Sequence, residues 1–395
     1  MTGSVGAFLF YSLYIGFGVP GRAQKGREMG PYRRFGLSHL TVLLLAALQA
    51  FAFGYGDSEA DGTVLPGIHA ASVSLVGARA VGFGDAASVF LNPADIYRVP
   101  GRVLNVSGGG AVVGELMEDT TGRYTRNYGA LANLCVAAKL DLSPGISAAA
   151  GLARVSDFSY EGIRYFYEDP FEQDLLTSSE SQRSSGGLWE ASLGSAYKYG
   201  PVILGASGGV RFGSAGYTFT TTDYVESTQS DSTWDRDFGT DPCFHLGLMV
   251  PFGLSRIGIS YASETDWFAD RLAMGGMVYT GSANRGAFGG ELELANTSGE
   301  TEYTGRVFGQ YSPGTSFTFR LGLFVTQRPE MEESEKLGFS VGGSLGLGSI
   351  SLDFAYSWSK DERETDIFRN PTNGYYVSDK PSIVSVGMSW TGGRG

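Results

Sequence analysis

From Ser349 to Ser359 the chain reads S-I-S-L-D-F-A-Y-S-W-S. Ile350, Leu352, Phe354, Tyr356 and Trp358 share one parity; Ser351, Asp353, Ala355 and Ser357 share the other. Successive side chains of a strand point to opposite faces, so this stretch is a strand with one large apolar face and one small, weakly polar face. The pattern recurs on either side. In 316–326, Phe317, Phe319, Leu321, Leu323 and Val325 oppose Thr318, Arg320 and Gly322, and in 381–390, Val384, Val386, Met388 and Trp390 oppose Ser385, Gly387 and Ser389. Further back, Val202, Leu204, Ala206, Val210 and Phe212 stand against Ser207 and Arg211. A soluble sandwich also alternates, but it covers its outer face with Lys, Glu and Arg. Here the second face is mostly Gly, Ala, Ser and Thr, which is the pattern of strands that turn their apolar side to lipid.

Fourteen such stretches follow one another, at 103–114, 127–139, 146–158, 188–198, 202–217, 238–250, 256–263, 271–280, 286–294, 302–311, 316–327, 336–346, 349–360 and 381–390. Short connections such as 141–145 and 346–348 alternate with long ones rich in Asp, Glu, Ser and Thr, such as 159–187, 218–237 and 361–380. Tyr and Trp gather near strand ends, among them Trp267, Tyr303, Tyr311, Trp358 and Trp390, as in the aromatic girdles of a membrane interface. The reading is all-β: a 14-stranded antiparallel transmembrane β-barrel over 102–391, with both ends on the short-turn side and a bacterial outer-membrane location. Gly387, Met388 and Trp390 end the last strand in the manner of the C-terminal signal read by the barrel-assembly machinery. That machinery and outer-membrane lipid are the expected partners.

Composition agrees. Of 395 residues, 59 are glycine and 13% are aromatic. Only 18% are charged, below the ~25% usual for soluble domains. The 41 acidic and 29 basic side chains leave a formal charge of −12 with no basic block, so there is no electrostatic footprint for nucleic acid. Two cysteines cannot staple a disulfide scaffold. Cys243 and His245 have the spacing of a metal pair, but no further ligand lies near them in sequence, and both read as wall residues. No Ser/His/Asp arrangement or flanked carboxylate pair suggests catalysis. The expectation is a non-enzyme without cofactor or metal.

At the N-terminus, Met29 precedes Arg33 and Arg34, the apolar run 40–47 and Ala50-Phe51-Ala52, in the order of a secretory signal. Residues 29–52 are read as that signal, with Met29 as the true start and 1–28 as an upstream extension. The phase of each strand points Arg211, His245, Glu291, Glu293, Arg306, Arg320 and Asp353 into the barrel, and Glu291 falls opposite Arg306 if the hairpin turns near Thr297. Charges inside a membrane barrel must be paired or hydrated.

Residues 53–101 lack barrel alternation and carry Gly77-Ala78-Arg79-Ala80-Val81-Gly82-Phe83-Gly84 followed by Asn92-Pro93-Ala94. Placed between a signal and a 14-stranded barrel, this run resembles the FadL/TodX superfamily of outer-membrane proteins, and within it most closely the PorV/PorQ branch. The resemblance implies that the segment folds into the lumen as a plug. There Gly82 and Gly84 permit close backbone approach, Asn92 caps a turn opened by Pro93, and Arg79 faces carboxylates such as Glu291 or Asp353. It also implies a role. A PorV/PorQ-like barrel takes part in type IX protein secretion and surface attachment, with a translocon and cargo as partners. The alternative is FadL-like transport of long-chain fatty acids or other hydrophobic compounds, and the third reading is a plugged diffusion porin.

Overall fold

The computed structural model describes the backbone of residues 63–64, 67–82, 84–119, 122–167, 175–280, 285–297, 300–314, 316–329, 335–365 and 375–392. The expected signal and upstream extension lie outside the described residues.

Fourteen antiparallel strands close on themselves. They are β1 (Arg102–Asp119), β2 (Gly122–Ser143), β3 in two pieces (Ile146–Asp157 and Tyr160–Tyr167), β4 (Leu176–Tyr199), β5 (Val202–Asp223), β6 (Thr228–Phe252) and β7 (Ser255–Ala262). There follow β8 (Asp270–Thr280), β9 (Gly286–Thr297), β10 (Glu300–Tyr311), β11 (Phe317–Gln327), β12 (Glu335–Leu347), β13 (Ile350–Thr365) and β14 (Tyr375–Gly392). Closure is made by β14 against β1, in register from Tyr376 opposite Glu118 to Gly392 opposite Arg102. Each apolar stretch of the sequence falls within one strand, to within a residue at its ends. Its outward residues, such as Leu292, Leu321, Phe354 and Val384, are exposed, whereas Ala355, Ser357 and Ser385 on the other parity are buried. An apolar belt facing outward suits a barrel whose strands satisfy their backbone groups against one another, as hydrocarbon requires.

Two of the expected long loops are largely strand. β5 and β6 stay in register through Thr218 opposite Thr233 to Asp223 opposite Thr228, and the second piece of β3 pairs with the first half of β4, from Tyr160 opposite Ser184 onward. The outer parts of β4, β5 and β6 carry Thr and Ser on both faces. β-branched and hydroxyl side chains sustain a ladder without an apolar face, so a reading based on alternation stops where lipid stops.

One seam is incomplete. Among the described residues, β2 pairs with β3 only from Cys135 opposite Ala153 to Ser143 opposite Ile146. Beyond that point β2 pairs with β1 alone, while β3 breaks at Phe158-Ser159 and pairs with β4. The edge of β3 thus freed accepts a short strand from the N-terminal segment, Thr63 opposite Asp157 and Val64 opposite Ser156.

Candidate functional site

Residues 67–82 and 84–99 are wound inside the barrel as one short helix, α1 (Ala70–Val73), and two 3-10 turns, Ala86–Phe90 and Pro93–Arg98. Their local caps explain the turns. Asp85 accepts from the Ser88 N–H, and the Asn92 side chain accepts from the Ala94 N–H with Pro93 in the first turn position. Ile68, Phe90, Leu91, Ala94 and Ile96 pack with wall residues Val103, Cys135, Ala149, Ala196, Ile203 and Met249.

The wall receives this segment on glycines. A Cβ at Gly205 would overlap the backbone of Pro93 and Ala94, one at Gly247 would overlap Asn92 Oδ1, and one at Gly258 would overlap the Ala80 carbonyl. These three positions on β5, β6 and β7 form a smooth seat that only hydrogen fits. Asn92 ties the seat together. Its Nδ2 donates to the Ala80 carbonyl at 2.7 Å and to the Ile259 carbonyl of β7 at 3.4 Å, while its Oδ1 accepts from Ala94. In the plug motif, Gly84 has φ +74°, and a Cβ there would stand 2.9 Å from that of Arg98. A Cβ on Gly82 would stand 3.0 Å from Asp95 Oδ2.

A charge cluster holds the other side. Both oxygens of Glu291 accept from the Arg79 N–H at 2.9 Å, and Oε2 also accepts from the Ala80 N–H at 2.6 Å. Arg306, opposite Glu291 in register, reaches Glu291 at 3.1 Å and Glu293 at 2.7 Å. Arg271 reaches Glu293 at 2.6 Å, and the Arg79 side chain reaches Glu293 at 3.4 Å. Arg79 therefore meets Glu293 with its side chain and Glu291 with its backbone. Asp353 is bound instead by Arg320, at 3.4 Å. Arg306 also donates to the Val76 carbonyl, while the Val76 N–H donates to Ser340. Between these two wall contacts Val76 has φ +53°, a costly conformation for a β-branched residue that persists only where its surroundings impose it. Gly77 and Ala78 continue this turn, Ala78 being buried against Leu75 and Val81. Gly387 faces the plug at Ala70, while Met388 and Trp390 pair with Leu352 and Ile350 of β13.

Several inward charges were not singled out from sequence. Arg271 and Glu190 share parity with neighbouring buried small residues, so strand phase alone would have found them. Arg256, which donates to the Gly82 carbonyl alongside Arg98, shares parity with Gly258, Ser260 and Ala262 of β7, so strand phase would have found it as well.

Within the plug, His69 Nε2 lies 2.8 Å from the Asp85 carboxylate. Burial opposes the imidazolium, but the facing Asp85, aided by the wall carboxylate of Asp353 and opposed by Arg320, carries His69 above its ordinary 6.5. Burial likewise opposes the Asp85 charge, and His69 and Ser88 overcome it, holding Asp85 below 3.8. A raised folded value stabilises below the unfolded one and is lost as pH rises through it; a depressed one stabilises above and is lost on acidification. The pair therefore tightens the plug fully between about pH 3.8 and 6.5. Channel recordings across pH should show the fewest openings in that window, with an alkaline rise that His69→Ala removes. A flat profile in the unaltered protein would contradict this.

Beside the incomplete seam stands an aromatic cluster. Phe158, at the break in β3, lies 4.3 Å from Phe238, which lies 5.2 Å from Trp267. Tyr217 stacks on Trp234 at 5.2 Å, and Arg236 lies over both Tyr217 and Trp267. Below it a small chamber is walled by Val155, Glu190, His245 and Phe268 and floored by Ile68, Arg79 and Phe90 of the plug.

No protein-family model matches the chain, and no curated protein matches it. Solved structures do. A Pseudomonas aeruginosa FadL homologue has a TM-score of 0.64 at 11% identity, over 84% of this chain and 99% of that one. The Pseudomonas putida toluene transporter TodX gives 0.59 at 13%, over 84% and 100%. The Ralstonia pickettii toluene transporter TbuX gives 0.55 at 13%, over 83% and 99%. None of these likenesses supports the narrower PorV/PorQ expectation. The chain has the fold of the FadL- and TodX-type channels, a closed barrel with an outward apolar belt.

Proposed function

We propose that this barrel is a channel for small hydrophobic molecules across the outer membrane, and not an enzyme. The observation that carries the reading is the incomplete β2–β3 seam with its aromatic cluster. An apolar solute gains by leaving water for aromatic side chains, and a break in the wall lets it continue sideways into lipid without crossing the charged plug dock. The FadL homologue and the toluene transporters lend support through their shared fold. No observation favours a hand-over of secreted cargo, and a close-fitting plug speaks against a general diffusion porin.

Cells expressing the chain should take up an aromatic hydrocarbon or a long-chain fatty acid faster than cells lacking it. Phe158→Ala should slow that uptake, and the detergent-extracted barrel should carry apolar ligands detectable by mass spectrometry. Uptake unchanged by deletion, together with a barrel free of apolar ligand, would sink the proposal.

A further inference from the structure

Glu190 of β4 lies beside two residues 53 and 55 positions further on, Cys243 and His245 of β6. One carboxylate oxygen, the Cys243 Sγ and a ring nitrogen of His245 all lie within 4.8 Å of one another, and the three residues are 1%, 5% and 1% exposed. The intervening strand does not separate them. At that level β5 presents Gly209, opposite Ser192 on one side and Cys243 on the other. From these positions we infer a metal site for a zinc-class divalent ion, held by Glu190, Cys243 and His245. The proposed transport role does not use these three residues, and the chamber that Glu190 and His245 border meets the plug at Arg79.

The donor set selects the ion. Thiolate, imidazole and carboxylate together suit zinc or cobalt(II), whereas magnesium and calcium require oxygen ligands alone. Three protein donors leave a fourth position, and here Glu190 and His245 border the chamber against Val155 and Phe268. That chamber has room for about one water molecule, the size of a fourth ligand at a zinc-type centre.

The surroundings hold the ligands in place. Glu190 Oε1 accepts from Ser192 Oγ at 2.7 Å and lies 2.7 Å from His245 Nε2, while Oε2 accepts from Arg211 Nε at 3.0 Å. Arg211 is anchored in turn by the Ser263 carbonyl and by the Phe268 ring, 4.0 Å from its guanidinium carbon. Such secondary contacts orient metal ligands and set their affinity. His245 Nδ1 is buried and has no hydrogen-bond partner among the described residues. Loading the ion sends the thiol proton of Cys243 to solvent and moves the proton held between His245 and Glu190 off Nε2, to Nδ1 or to solvent. Nδ1 has no other partner to give up.

Cobalt(II) added to the full chain in detergent reads the site directly, because a thiolate bound to cobalt gives a near-ultraviolet charge-transfer band. The unaltered protein should show this band, saturating at one equivalent and bleached by zinc. Cys243→Ser should lose it, whereas Cys135→Ser, which alters the other free cysteine on β2, should keep it. Ser192→Ala should retain the band with about 10- to 100-fold weaker cobalt affinity, as loss of an outer contact does at other metal sites. If Cys243→Ser fails to assemble, His245→Gln serves instead and should bind at least about tenfold more weakly. Absence of the band from the unaltered protein, or a band that survives Cys243→Ser or binds as tightly in His245→Gln, overturns the inference. Hydrocarbon uptake is scored separately, so either proposal can fail alone.

Discussion

Glu291→Ala is expected to release the plug and raise single-channel conductance in planar bilayers. The carboxylate accepts from the Arg79 and Ala80 N–H groups and pairs with Arg306, all inside the lumen. Removing it strands two backbone donors and weakens the hold on a buried guanidinium. Breaking a buried pair by deleting one partner costs about 3–5 kcal/mol, and each 1.4 kcal/mol is about a factor of ten. The ratio of seated to unseated plug should therefore fall by about two to four powers of ten. Arg306 keeps Glu293 and the Val76 carbonyl, so the wall itself should survive and the barrel should still show heat-modifiable electrophoretic mobility. Glu302→Ala, which removes a contact to Arg328 away from the plug, is the control and should leave conductance unchanged. Equal currents from Glu291→Ala and the unaltered chain would show that this cluster does not keep the lumen shut.

Gly247→Val should have a comparable effect by a different route. No rotamer relieves a Cβ that overlaps Asn92 Oδ1 and comes within 2.8 Å of the Ala94 nitrogen, because both atoms belong to a tight turn. Overpacking a well-filled site costs about 1–3 kcal/mol when side chains can yield, and more when they cannot. The turn must leave its seat, carrying the Asn92 bridge between Ala80 and Ile259 with it. Gly276→Ala is the matching control, since its nearest contact would be an ordinary 3.6 Å. Raised conductance from Gly247→Val and not from Gly276→Ala is the expected pair of results; a closed Gly247→Val channel would mean that the seat is not needed for closure.

What sequence revealed and what it hid divide along physical lines. Stretches such as Ile350–Trp358 are legible because lipid demands a large apolar residue at every second position. The outer parts of β5 and β6 are not, since Thr218–Thr222 stands in water on both faces and obeys no such demand. Inward charges are legible by parity alone, so Glu291 and Arg306 emerge as neighbours while their task does not. Glu291 serves Arg79, 212 positions away, and local spacing carries no trace of that contact. The glycines are the reverse case. Composition announces them loudly, yet which of them seat the plug depends on Asn92, Ala94 and Ala80 arriving from a distant part of the chain. Glu190 shows the same limit, since it reaches Cys243 and His245 only once β4, β5 and β6 lie side by side.

The break in β3 also bears on how the protein keeps from sticking to itself. Closing a sheet into a barrel abolishes its edges, and an exposed edge is a template for pairing with another chain. By parting above Ala153, β2 regains such an edge among the described residues, and so does β3. Thr63 and Val64 occupy that of β3, opposite Asp157 and Ser156, with the chain's own backbone. The segment ahead of the plug is thus also an edge guard: a strand too short to extend the sheet, placed where a neighbouring molecule would otherwise begin to add one.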